Sequence, residues 1–190
     1  MAYLSELELK TLGLKDFGEQ VRISNKASIY RPEAISIGDH VRIDDFCTLS
    51  AGIGGIAIGD YVHIAVYSSL IGSGKITLSS FCNLSSRVSI YSSNDDYSGQ
   101  WLTNPTIPPL YTGVTHADVF LGRHVIIGSG SIILPGVILE QGVAVGALSL
   151  IRKHCSEFGI YAGNPAKRIA DRKRDLLEVE QDFLNSLKKS

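Results

Sequence analysis

An aliphatic residue returns every six positions along this chain, rather than every two as in an exposed strand or every three to four as in a helix. From Leu121 the series runs through Ile127, Ile133, Leu139 and Val145 to Ile151 without a slip. Earlier it reads Phe17, Ile23, Ile29, then Ile37, Ile43, Leu49, then Ile58, Ile64, Leu70, then Leu78, Leu84, Ile90. Four positions after most of these stands a small residue, such as Val41, Cys47, Ser68, Cys82, Val125 or Ser149. A six-residue period marks a parallel β-helix, in which each hexad makes a short strand and a turn, and like positions of neighbouring coils stack into one core. Extra residues enter only after every third hexad: between 29 and 37, 49 and 58, 70 and 78, and at length between 90 and 121. Three hexads therefore make one coil of a triangular prism. All insertions leave from one corner, and the coils should lie about 4.8 Å apart.

The ends carry helical signals. Ser5 and Glu8 have capping-box spacing, and Leu4, Leu7, Leu9 and Leu12 form a stripe that stops at Gly13, which predicts a helix over 4–13 lidding the first coil. Residues 170–189 lose the beat and are highly charged, with Leu176, Leu177, Val179, Phe183, Leu184 and Leu187 at mostly helical spacing. This predicts a C-terminal helix whose apolar stripe packs on the prism or on a neighbouring subunit. The expected organisation is a single all-β domain over 1–190, with a prism over 17–164 interrupted by one long loop over 91–119.

That loop is rich in Ser, Asn, Asp, Pro and aromatic residues, and long excursions from a compact repeat are usually functional. Asn94, Asp95, Asp96, Tyr97, Trp101 and His116 are the candidate site residues that it carries. The adjacent Asp95 and Asp96 would equally suit a polar turn.

Charge narrows the partners. With 18 Lys and Arg against 19 Asp and Glu, the surface as a whole does not suit nucleic acid, so a partner must be sought at a local site. No stretch approaches the roughly 20 apolar residues of a membrane span, no leader pattern opens the chain, and the expected location is the cytoplasm. Cys47, Cys82 and Cys155 each fall four residues after a beat position, which predicts inward packing thiols rather than disulfides or metal ligands. His40, His63, His116, His124 and His154 make no close pair one strand apart on one face. A zinc-dependent hydratase resembling the γ-class carbonic anhydrases would need such a pair, so it stands as a minor alternative and no metal is expected. A non-catalytic scaffold is another minor alternative.

The hexads VFLGRHVIIGSGSIILPGVILEQGVAVGALSLIRK, followed by IYAGNPAKRI, closely resemble the hexapeptide-repeat acyltransferases, in the sugar acetyltransferase branch related to galactoside acetyltransferase. The resemblance spans about Phe17 to Ile169. It implies a left-handed β-helix, a homotrimer with active sites between adjacent prisms, and acetyl-CoA as co-substrate. Ser129 and Ala147 each lie two positions after a beat residue and 18 apart, so they stack in neighbouring coils and can offer backbone N–H groups to the pantetheine arm. The family uses matching positions in this way. Arg152, Lys153, Lys167 and Arg168, beside the AGNPAKR turn, supply the cations that the phosphates of coenzyme A require.

One position departs from the family. Where galactoside-acetyltransferase-like enzymes carry a histidine base for a sugar hydroxyl, SIYSSNDDY places Asn94, and an amide cannot accept a proton at neutral pH. Three routes stay open: an amine acceptor oriented by Asn94, a carboxylate base in Asp95 or Asp96, or His116 swinging in from the far end of the loop. The favoured acceptor is the amine of a nucleotide-linked amino sugar destined for surface polysaccharide. O-acetylation of a sugar is the runner-up.

Overall fold

The computed structural model describes residues 2–188. Its strands stack in three parallel sheets, one per side of a prism. The first side pairs Asp16–Phe17, Ile35–Ile37, Ile56–Ile58, Ile76–Leu78, Val119–Leu121 and Ile138–Leu139. The second runs through Arg22–Ile23, Arg42–Ile43, His63–Ile64, Asn83–Leu84, Ile126–Ile127, Ala144–Val145 and Gly159–Gly163. Ser28–Tyr30, Thr48–Ala51, Ser69–Gly72, Ser89–Tyr91, Ile132–Ile133 and Leu150–Ile151 make the third.

Register explains the period. On the second side Ile23, Ile43, Ile64, Leu84, Ile127 and Val145 lie directly over one another. On the third, Ile29, Leu49, Leu70, Ile90, Ile133 and Ile151 do the same. Nearly all of these side chains are fully buried, so each aliphatic residue covers the one in the coil below. Phe17 and Ile29 are only half-buried because the first coil has a neighbour on one side alone. The insertions leave from the corner between the third and first sides, as the spacing predicts.

Both other corners turn through the left-handed region three residues after the beat. Gln20, His40, Tyr61, Phe81 and His124 do so between the first and second sides, and Phe46, Tyr67, Arg87 and Leu148 between the second and third. Such a conformation costs a non-glycine residue about 1–2 kcal/mol. Ring stacking offsets it: His40, Tyr61, Phe81 and His124 stack in series, with centroids 4.6, 5.0 and 5.2 Å apart.

Helix α1 (Glu6–Thr11) closes the first coil, with the expected capping box between Ser5 and Glu8 and with Leu9 buried in the core. It is shorter than the 4–13 span, ending before Gly13 at φ +81°. At the other end the sequence expectation needs correction. Ala166–Asp171 is a strand, antiparallel to Gly159–Gly163, so residues 170 and 171 finish a hairpin instead of opening a helix. The physical reason is the exposed edge of the last parallel strand, whose backbone groups need partners. Helix α2 (Leu176–Leu187) follows, and the final residue of the 170–189 span lies outside the described residues. Among the described residues no helix is long and apolar enough to cross a membrane.

α2 docks on the first–second corner of its own prism. Phe183 meets the Tyr61 and Phe81 rings edge-on, and Glu180 accepts from Arg123 and, at 2.6 Å, from His124. The Arg123 guanidinium, with His124 beside it, holds the Glu180 carboxyl below its ordinary range near 4.5, against the opposing effect of burial. A carboxyl depressed in the folded state stabilises fully above its unfolded value and loses that contribution as pH falls through the folded value. The protection of α2 amides relative to their intrinsic exchange rate should therefore fall as pH is lowered below about 4.5, and Glu180→Gln should remove that step.

Candidate active site

The second–third corner differs from its neighbour in how its backbone donors are met. At the first–second corner the N–H groups two residues after the beat in the first three coils are capped by the coil above: Glu19 donates to Asp39 at 2.8 Å, Asp39 to Asp60 at 2.9 Å, and Asp60 to Ser80 Oγ at 3.0 Å. The same positions on the second–third corner are Ser129 and Ala147, and among the described residues neither N–H has a protein acceptor. Their coils are nevertheless tightly joined, since Leu148 N–H donates to the Ser129 carbonyl at 2.9 Å. Gly128 permits that approach, because a Cβ there would meet the Ala147 nitrogen at 2.5 Å. The corner thus presents outward-facing amide donors on a rigid ladder.

Beyond the ladder a cleft of about 250 Å³ opens between the last full coil and the terminal hairpin, lined by Arg152, Lys153, Lys167, His154 and Tyr161. Three of the four predicted cations meet there. Arg168 instead donates to Asp171 at 2.6 Å. The cleft has the charge and the exposure to take phosphate groups.

The long loop is built on a short hairpin in which Ser93–Asn94 pairs with Thr115–His116. Asp95 leaves its tip and lines two clefts. One, of about 600 Å³, lies over the outer face of the third side, with Tyr91, Ile132, Leu134 and Leu150 as floor and Asn94, Asp95 and Tyr97 as rim. The other, of about 660 Å³, lies beneath the loop against Ile71 and Ser73, and includes Asp95 and His116. His116 is fixed by its Nδ1, 2.8 Å from the Ser93 hydroxyl, which also accepts from the Ser73 N–H at 2.7 Å.

Asp96 and Trp101 do another job. Both Asp96 oxygens are engaged within the loop, accepting from the backbone of Ser98, Gly99, Gln100 and Trp101 and from the Ser98 hydroxyl at 2.7 Å. These bonds, the Ser98 hydroxyl first, hold its carboxyl below the usual range. Trp101 packs against Gly113, where a Cβ would strike the indole at 2.5 Å. Neither residue lines either of these two clefts. Asp95 and Tyr97 do, and Asn94 donates to the Asp95 carbonyl at 3.1 Å.

The remaining histidines, apart from His154 in the basic cleft, and the cysteines serve the scaffold. His40 and His124 belong to the ring stack, His63 bridges Asp44 and Asn83 at 2.9 and 3.0 Å, and His154 pairs with Glu140. Cys47, Cys82 and Cys155 point inward, and burial pushes their thiols up to about 11, 12 and 11.

No family model matches the chain. Individual proteins do. It is 57% identical over 183 residues to the dTDP-4-amino-4,6-dideoxy-D-glucose acyltransferase of Escherichia coli, covering 96% of this chain and 95% of that one. The crystal structure of AntD, an N-acyltransferase from Bacillus cereus in complex with dTDP and 3-hydroxybutyryl-CoA, superposes with a TM-score of 0.94 at 46% identity, covering 98% of each chain. A putative lipopolysaccharide biosynthesis O-acetyl transferase of Escherichia coli is 33% identical over 77% of this chain and 74% of its own.

The chain belongs to the hexapeptide-repeat sugar acyltransferases.

In this acyltransferase the amide ladder stands on the second–third corner, the basic cleft lies at the last coil, and the two loop clefts share Ser93 and Asp95. Of the residues singled out in the sequence, the structure gathers Arg152, Lys153 and Lys167 in one cleft and sets Asp95, which lines the loop clefts, apart from Asp96, whose carboxylate is taken by loop donors. The signal was present: Asp followed two and three residues later by Ser98 and Gly99 is a local turn pattern. If the ladder binds through its backbone, Ser129→Ala should leave coenzyme A affinity within a factor of about two, whereas Ala147→Pro removes a donor and should weaken it clearly. Calorimetric titration of coenzyme A checks both.

Proposed function

We propose that this acyltransferase moves the acetyl group of acetyl-CoA to the amine of a nucleotide-linked amino sugar, in the cytoplasm, as a precursor of surface polysaccharide. The acceptor class is that named for its relatives, dTDP-4-amino-4,6-dideoxyglucose. The structural observation that carries this reading is a carboxylate, Asp95, at the hairpin tip beside Asn94, with no histidine in the cleft over the third side.

The chemistry balances on these groups. The neutral amine attacks the thioester carbonyl, a C–N bond forms, the C–S bond breaks, and the proton of the ammonium passes to Asp95 or to the departing thiolate. Donors on the ladder and cations in the basic cleft hold coenzyme A along the corner. Asn94, braced by its bond to the Asp95 backbone, orients the acceptor. His116, anchored on Ser93, lies in the cleft beneath the loop and is not needed as a base for an amine.

One prism supplies a floor and a single wall to this groove, so the reading includes a homotrimer in which each groove is closed by a second copy. The runner-up is O-acetylation with His116 as base, favoured by the O-acetyl transferase relative. Steady-state assays with acetyl-CoA decide between them. The amino sugar nucleotide should turn over and its hydroxyl counterpart at the same carbon should not. Preferential transfer to the hydroxyl would overturn the proposal.

A further inference from the structure

The position three residues after the beat on the second–third corner reads, from the first coil upward, Lys26, Phe46, Tyr67, Arg87, Gly130 and Leu148. Phe46 and Tyr67 stack with centroids 4.9 Å apart, Lys26 lies 5.4 Å from the Phe46 centroid, and the Arg87 guanidinium lies 5.1 Å from that of Tyr67. On the first–second corner the equivalent ring stack is covered by Phe183 of α2. Here, among the described residues, no helix covers it, and Phe46 and Tyr67 are 47% and 51% exposed.

Arg87 stands out within this stack. Its backbone is held at φ +61°, and its guanidinium plane is fixed over Tyr67. Among the described residues it has no carboxylate partner, whereas Lys26 below it pairs with Asp45. The other arginines without a carboxylate or carbonyl partner are Arg152, in the basic cleft, and Arg22, on the outer face of the second side. Above Arg87 the stack of rings ends at Gly130, and the Leu148 side chain of the next coil lies over that glycine. Gly130 N–H donates to the Ser86 carbonyl at 3.0 Å, so the Arg87 backbone lies one coil, about 5 Å, below that of Gly130, the residue after Ser129.

We propose that Arg87 binds the diphosphate of the nucleotide-linked acceptor, on the edge of the Phe46–Tyr67 stack. The inference rests on the acceptor class given under Proposed function. Coenzyme A on the Ser129 and Ala147 amides occupies the upper half of this corner, so an acceptor that meets its thioester must approach along the lower half. A planar guanidinium held by a ring presents its N–H fork outward, which matches a diphosphate in two-point contact.

Full-length wild-type protein, Arg87→Ala and Arg87→Lys would be titrated calorimetrically with dTDP, dTMP and coenzyme A, with light scattering of each. The proposal expects Arg87→Ala to raise the Kd for dTDP at least tenfold, to narrow the preference for dTDP over dTMP, and to leave coenzyme A within about twofold. Lysine should restore part of the loss. Equal dTDP affinity in wild type and Arg87→Ala would overturn it, as would joint loss of both ligands with an altered mass, which would mark Arg87 as a structural or interface residue. Failure of wild-type protein to bind dTDP would instead sink the acceptor class itself, and this inference with it.

Discussion

Asp95→Asn should lower kcat by about 10²–10⁴-fold with little change in the KM for acetyl-CoA. The substitution keeps size and hydrogen-bonding capacity but removes the only charge at the hairpin tip that faces both clefts. Asp96→Asn should behave differently, because that carboxylate is occupied by loop donors: it should loosen the turn, seen as faster amide exchange at Ser98 to Trp101, with a smaller effect on turnover. Asn94→Ala should cost about ten- to a thousandfold as an orienting hydrogen bond is lost, and His116→Ala only a few-fold. Thiol-release kinetics on the four variants check the set. Near-wild-type turnover in Asp95→Asn together with abolished turnover in His116→Ala would assign the base to the histidine and favour a hydroxyl acceptor.

The largest stability effect is expected from the middle of the prism. Leu84 is fully buried and stacked in register between Ile64 below and Ile127 above. Truncation to alanine leaves a hole that the two flanking coils cannot close without shifting their own ladders, so Leu84→Ala should cost about 2–5 kcal/mol. Denaturant unfolding reads this directly. Because Ser86 and Arg87 follow Leu84 around the corner, the same variant should also weaken ligand binding. Leu148→Ala, with 78% of its side chain exposed, should barely move the unfolding midpoint.

The prism was legible because its cause is repetition: an aliphatic core residue stacked on its like in every coil leaves a mark every six positions, and the breaks in that mark disclosed the corner from which insertions leave. The caps were legible at the N-terminus, where Ser5 and Glu8 act locally. Misassignment of residues 170 and 171 arose because the hairpin is selected by a distant need, the open edge of Gly159–Gly163, which no local propensity expresses. That α2 packs on its own prism rather than on a neighbour was left open for a similar reason, since Glu180 and Phe183 find partners more than fifty residues away in sequence. In the site, Ser129 and Ala147 could be read from spacing, but the contrast that gives them meaning could not. It depends on Asp39, Asp60 and Ser80 capping the amides at that position in the lower coils of another corner. Arg87 and its rings also went unread, because large residues in a left-handed conformation run against local preference and are held by stacking across coils.

The central claim is transfer to nitrogen on a nucleotide-linked sugar. Its most direct measurement is the product itself: incubation of the protein with acetyl-CoA and dTDP-4-amino-4,6-dideoxyglucose, mass analysis of the nucleotide sugar, and treatment with neutral hydroxylamine. The account predicts a single added acetyl group that survives hydroxylamine, as an amide does. An acetylated product that hydroxylamine cleaves, or an unmodified amino sugar beside an acetylated hydroxyl analogue, would contradict it.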